Sequence, residues 1–127
     1  MKHFSVALLG FGTVGSGVYR IISENGAQIS HREGVVLSVG RILVRDFEHE
    51  PNLSLAPRAL FTTSFEEIIN DASIDIVVEC MGGIEPAKSF IIRALEAGKT
   101  VVTSNKEVMS KNWPAFEKAA KATGAGL

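Results

Sequence analysis

The segment GFGTVG, Gly10 to Gly15, constrains this chain more than any other stretch, because it lies between an apolar run and an amphipathic one. Before it, FSVALL (Phe4 to Leu9) is almost unbroken in its apolarity, as in a strand with both sheet faces covered. After it, Val14, Val18, Ile21 and Ile22 recur at helical spacing, and Asn25-Gly26 supplies a stop. Strand, glycine turn and helix in that order fit G-x-G-x-x-G, a pattern in which each glycine has its own reason. Gly10 allows the tight turn, Gly12 lets the backbone approach a pyrophosphate, and Gly15 lets the helix pack close to the strand. Free N–H groups at the helix start then face the phosphates, where the helix dipole also favours negative charge. The alternative, a glycine turn with no ligand, fits the bare pattern better than it fits the pattern in this setting.

The remaining periodicity alternates between strand-like and helix-like, which predicts an α/β domain with a doubly wound, mostly parallel sheet of the Rossmann type. VVLSVGRILV, ending near Val44, reads as the second strand. The polar stretch Asp46 to Pro57 reads as a surface loop, followed by a short strand at Ala59 to Thr62. Ser64 and Glu67 have capping-box spacing and begin a helix; Ile74 to Cys80 is a further buried strand. Past Met81-Gly82-Gly83, Pro86 suits a first helical turn, and Ala87, Phe90, Ile91, Ala94 and Leu95 form one apolar stripe before Gly98. TVVTS follows as a strand, and a last helix runs from about Trp113 to Thr123, with Trp113, Phe116 and Ala120 on a packed face.

Composition narrows the function classes. At 127 residues and 46% hydrophobic content the chain suits one domain, residues 1–127, with a real core. A formal net charge of -1 disfavours nucleic acid or an anionic membrane as the main partner. No apolar stretch approaches membrane-spanning length, and the single cysteine, Cys80, excludes an internal disulfide, so the cytoplasm is the expected compartment. His3, His31 and His49 lack metal-ligand spacing, and Cys80 reads as a small buried hydrophobe rather than a nucleophile.

Ligands of open α/β sheets sit outside the carboxyl ends of the strands. The second strand ends in Arg45-Asp46, where an acidic residue suits the ribose hydroxyls of NAD and an arginine suits the 2′-phosphate of NADP. Arg45 lies nearer the strand end, so NADP is the favoured cofactor and NAD the alternative. Gly82 and Gly83 leave room for cofactor, although a plain strand-to-helix turn explains them almost as well. At the end of VVTSNK, Lys106 places a positive charge at a strand terminus; Glu79 reads as a solvated or capping carboxylate outside the site.

Together GFGTVG, LVRD, DIVVECMGG and ALEAGKTVVTSNK, in this order from about Val6 to Gly124, resemble the amino-terminal cofactor domain of homoserine dehydrogenase. Ser104 departs from the alanine common in the family's T-A-N-K motif, a small change that keeps Lys106 in register. The resemblance implies NAD(P)-dependent interconversion of L-homoserine and L-aspartate 4-semialdehyde, in threonine, methionine and isoleucine biosynthesis. It implies a catalytic role for Lys106 beside the nicotinamide. Phe11, Thr13 and Val14 join Gly10, Gly12 and Gly15 in the cofactor loop, Arg45 lies near the 2′ substituent, and Gly82, Thr103 and Ser104 lie toward the nicotinamide. It further implies that the substrate pocket and most of the homodimer surface come from a downstream region absent from this chain; Leu127 falls where a further strand would start, so the last strand or strands are expected to be lacking as well. The chain is therefore expected to bind cofactor and to turn over little or no substrate, and its starting methionine argues against a preceding aspartokinase domain. Two alternatives stay open: a non-catalytic dinucleotide sensor, for which Lys106 would be dispensable, and another dehydrogenase such as an aspartate dehydrogenase.

Overall fold

The computed structural model describes residues 2–127. Five parallel strands form one sheet in the order β3-β2-β1-β4-β5, with β1 at Lys2–Leu9, β2 at Val35–Leu43, β3 at Phe61–Thr62, β4 at Ile74–Glu79 and β5 at Thr100–Thr103. The helices are α1 (Thr13–Glu24), α2 (Gly26–Glu33), α3 (Phe65–Ile69), α4 (Ala87–Glu96) and α5 (Lys106–Thr123). This is the expected doubly wound α/β architecture.

Central β1 explains the unbroken apolar run of its sequence. Successive side chains point to opposite faces. Val6 and Leu8 join Ile42, Val44 and Phe61 beneath Val18, Tyr19 and Ile22 of α1. Ala7 and Leu9 join Val77 and Val101 beneath Phe65 and Ile68 of α3, Ile91 and Leu95 of α4, and Val108 and Phe116 of α5. Leu8 and Leu9 have no exposed area, and burying each stabilises the fold by roughly 1.5–3 kcal/mol. Both layers need an apolar partner from β1, so neither set of alternate positions tolerates a charge.

Several elements differ from the sequence reading. Asn25 ends α1 but also starts α2, which runs to a left-handed Gly34 whose N–H donates to the Ser30 carbonyl at 3.0 Å. No α2 residue is buried, so no apolar stripe announced the helix. The capping box at Ser64 does not form. Glu67 instead accepts from the Thr62 hydroxyl at 2.6 Å, and that hydroxyl oxygen accepts the Ser64 N–H at 3.0 Å. Pro86 sits at the cap position just ahead of α4, and the short third strand is confined to Phe61–Thr62 after a 3-10 turn at Arg58–Leu60.

Helix α5 starts at Lys106, seven residues before Trp113, because the Asn105 side chain accepts the Val108 N–H at 3.2 Å and caps it. Pro114 lies inside this helix without ending it. Phe116 is buried and Ala120 packs against the core, but Trp113 is exposed and donates from Nε1 to Glu117 at 3.2 Å. The packed face therefore omits Trp113.

Candidate functional site

Strand order reverses between β1 and β4, so their carboxyl ends open a crevice with helices falling away on either side. The glycine loop lies at its centre. Gly10 has φ +104°, and its N–H donates to the Leu43 carbonyl at 2.9 Å, binding the turn to β2. A Cβ on Gly15 would lie 2.2 Å from the Gly10 carbonyl oxygen, so this position admits no side chain. A Cβ on Gly12 meets nothing within 4 Å. The two glycines thus answer different demands: one lets the chain pack on itself, the other leaves open space above the loop.

That space fits a pyrophosphate. The first intrahelical bond of α1 runs from the Ser16 N–H to the Gly12 carbonyl, so the N–H groups of Thr13, Val14 and Gly15 precede the helical ladder and point out of its end. Gly12 offers no side-chain cap, and the first turn holds no acidic residue. Donors and dipole are therefore left for an anion. Phe11 contributes only backbone. Its ring is 2% exposed and packs edge-on against Tyr19 and Phe61, at centroid distances of 5.9 and 5.2 Å.

On the β2 side, a cleft of about 470 Å³ is bounded by the loop, Arg45, Phe65, Met81 and Phe90. Arg45 is exposed at its margin. Asp46 is occupied: its Oδ1 accepts the His49 N–H at 2.7 Å and pairs with His49 Nδ1 at 2.8 Å. These hydrogen bonds, first that from the backbone of His49, hold the Asp46 carboxyl below its ordinary range. Two carboxylates that line this cleft are also turned to nearby groups, Glu50 to the Asn52 N–H and Glu85 to Ser89. Asn52 then donates from Nδ2 to the Phe11 carbonyl at 2.9 Å, pinning the long loop to the glycine turn.

On the β5 side, a second cleft of about 390 Å³ is bounded by Val14, Cys80, Met81, Gly82, Ser104 and Lys106, with Glu79 and Asn105 completing it. Gly82 and Gly83, at φ +75° and +71°, turn the chain sharply away after β4. Glu79, 1% exposed, holds this end together. Its Oε2 accepts the N–H groups of Met81 at 2.7 Å and Gly82 at 3.2 Å, while Oε1 accepts the Thr103 hydroxyl at 2.6 Å. The Thr103 oxygen in turn accepts the Asn105 N–H at 3.0 Å, and Asn105 Nδ2 donates to the Gly83 carbonyl at 2.6 Å. Through this clasp the β4 turn and the start of α5 are one unit, with exposed Lys106 in its first turn. Burial, and secondarily the charge of Glu79, pushes the Cys80 thiol up to about 11, so it is protonated at neutral pH and has little nucleophilic character.

All the sequence-selected residues gather at this crevice, in different roles. Gly10, Gly12, Thr13, Val14 and Gly15 form its centre, Arg45 one margin, and Gly82, Ser104 and Lys106 the other. Thr103 is drawn into the clasp beneath. Sequence reasoning read Glu79 as a solvated or capping carboxylate outside the site, whereas this residue is buried and caps the β4 turn. Nor did it single out the side chains of Asn105 and Asn52. Glu79 was the recoverable one, since an acidic residue closing an otherwise apolar buried strand needs partners.

Comparison with known proteins agrees with the geometry. The family model for the homoserine dehydrogenase NAD-binding domain matches residues 10–127. The curated homoserine dehydrogenase of Bacillus subtilis (strain 168) is 39% identical over 110 residues, which are 87% of this chain and 25% of that protein. A solved homoserine dehydrogenase from Thiobacillus denitrificans gives a TM-score of 0.89 at 38% identity, over 98% of this chain and 28% of that one. A hyperthermophilic archaeal homoserine dehydrogenase in complex with NADPH gives 0.77 at 28% identity, over 98% of this chain and 42% of that one. The chain spans about a quarter of the length of the curated relatives it matches. Glycine loop, switch-point crevice and lysine-bearing strand end therefore occur here in a chain that belongs to the homoserine dehydrogenase family, as its NAD-binding domain.

Proposed function

We propose that this domain holds NADP in preference to NAD and presents its nicotinamide end to Lys106 for the interconversion of L-homoserine and L-aspartate 4-semialdehyde. The observation that carries the cofactor preference is the division of labour at the end of β2. Asp46 is committed to its own loop through His49, and Arg45 is left exposed at the cleft margin. An arginine there meets a 2′-phosphate with charge-assisted hydrogen bonds, whereas a ribose hydroxyl pair would call for the carboxylate. The NADPH held by the archaeal relative is in keeping with this reading.

When bound, the cofactor supplies or accepts the hydride. The N–H groups of Thr13 to Gly15 receive the pyrophosphate, and Gly12 leaves it room. Lys106, on the rim of the second cleft, places an ammonium where the substrate oxygen changes between carbonyl and alcohol. There it stabilises developing negative charge and orients the substrate. The substrate pocket and the homodimer surface are assigned to a region outside residues 1–127, so this chain binds cofactor without appreciable turnover.

Calorimetric titration with NADP and, separately, NAD tests the preference. NADP is expected to bind more tightly, with the advantage removed by Arg45→Ala and NAD affinity unchanged. Equal affinities in the unsubstituted chain would overturn the preference while leaving the family assignment intact.

A further inference from the structure

Glu79 is a buried carboxyl group with no cationic partner among the described residues. Its three hydrogen-bond partners are the N–H groups of Met81 and Gly82 and the hydroxyl of Thr103, all neutral donors. Among the described residues no lysine, arginine or histidine forms an ion pair with it. The Thr103 hydroxyl donates to Glu79, and its oxygen accepts the Asn105 N–H. A carboxylate kept at 1% exposure on neutral donors carries a desolvation cost that an ion pair would have offset. It borders the cleft on the Lys106 side.

We infer that Glu79 biases this cleft by charge, favouring the cationic nicotinamide of the oxidised dinucleotide over the neutral ring of the reduced one. The inference rests on the proposed placement of the nicotinamide beside Gly82 and Lys106. A negative charge fixed in a poorly screened floor attracts a cationic ring and is indifferent to a neutral one of nearly the same shape. Lys106 carries the opposing charge, but it is exposed at the rim, where water and salt screen it. The buried charge therefore dominates. In the direction in which the reduced cofactor gives up its hydride, the ring gains positive charge, so the same carboxylate favours reduction of the carbonyl substrate.

The test is a set of dissociation constants for NADP, NADPH and 2′,5′-ADP, measured with this chain and with Glu79→Gln. Glutamine is nearly isosteric. Its carbonyl can accept from Met81 and Gly82, and its amide can donate to the second lone pair of Thr103, so the clasp persists without the charge. The expected result is an NADP affinity lowered on the order of tenfold relative to NADPH, with 2′,5′-ADP unchanged. Thr103→Val, which keeps the charge and loosens the clasp, is expected to weaken both redox forms by the same factor. Equal effects of Glu79→Gln on NADP and NADPH, or the same redox shift in Thr103→Val, would overturn the inference. If Glu79→Gln does not fold, Glu79→Asp, which withdraws the charge by one methylene, must give a smaller shift in the same direction; an unchanged ratio overturns it. Failure of the unsubstituted chain to bind NADP or 2′,5′-ADP would instead strike the proposed function.

Discussion

The two ends of the crevice are built by opposite strategies. At the β2 end, one side chain, Arg45, is exposed at the cleft margin, while Asp46 and Glu50 are satisfied by their own loop. At the β5 end, Glu79, Thr103 and Asn105 form a network that fixes two turns to one another below the surface. Discrimination by an exposed residue can be changed without disturbing the fold. Geometry set by a buried polar network cannot, because each lost partner leaves a desolvated group unmet.

Substitutions can break this comparison at several depths. The largest effect is expected in the loop that both ends share: Gly15→Ala puts a methyl 2.2 Å from the Gly10 carbonyl oxygen. It should cost about 3 kcal/mol or more, read as a lowered midpoint in urea unfolding. A midpoint equal to that of the unsubstituted chain would show that the loop can yield. Next is Thr103→Val, which strips Glu79 Oε1 and the Asn105 N–H of their partner. A loss of roughly 2–3 kcal/mol is expected, again by urea titration, and a loss within experimental error would mean that the clasp is not structural.

Arg45→Ala belongs to the other strategy. Its unfolding midpoint should stay within about 0.5 kcal/mol of the unsubstituted chain, even as NADP preference disappears. A large destabilisation there would erase the contrast between the two ends. The smallest effect concerns acid. Asp46 has a folded-state pKa below its ordinary 3.8, so its contribution is complete above 3.8 and is lost as pH falls through the lowered value. Asp46→Asn should therefore lower stability slightly near neutrality, where the contribution is complete, and the difference from the unsubstituted chain should vanish as pH falls through that acidic window, as followed by thermal melts across pH.

The same contrast explains what the sequence disclosed. Features that depend on local pattern were legible: β1 from its apolar run, the loop from its glycine spacing, Arg45 from its place at a strand end. Features that depend on which group a side chain finds were not. Ser64 and Glu67 had capping-box spacing, yet Thr62 claimed the glutamate. The last helix was expected from about Trp113, yet the Asn105 cap starts it at Lys106. Helix α2 buries no residue, so periodicity had nothing to register. Glu79 was visible as an acidic strand end, but its three donors come from the β4 turn and, 24 residues away, from β5.

The central claim is that the glycine loop is a phosphate seat, and titration of NADPH into this chain and into Gly12→Val tests it most directly. Because the space above Gly12 is empty of protein atoms, the variant should melt within a few degrees of the unsubstituted chain. It should nevertheless lose detectable NADPH binding, since the side chain fills the pyrophosphate's place. Equal NADPH affinity in the two folded proteins would contradict the account, because the dinucleotide would then be held somewhere other than over this loop.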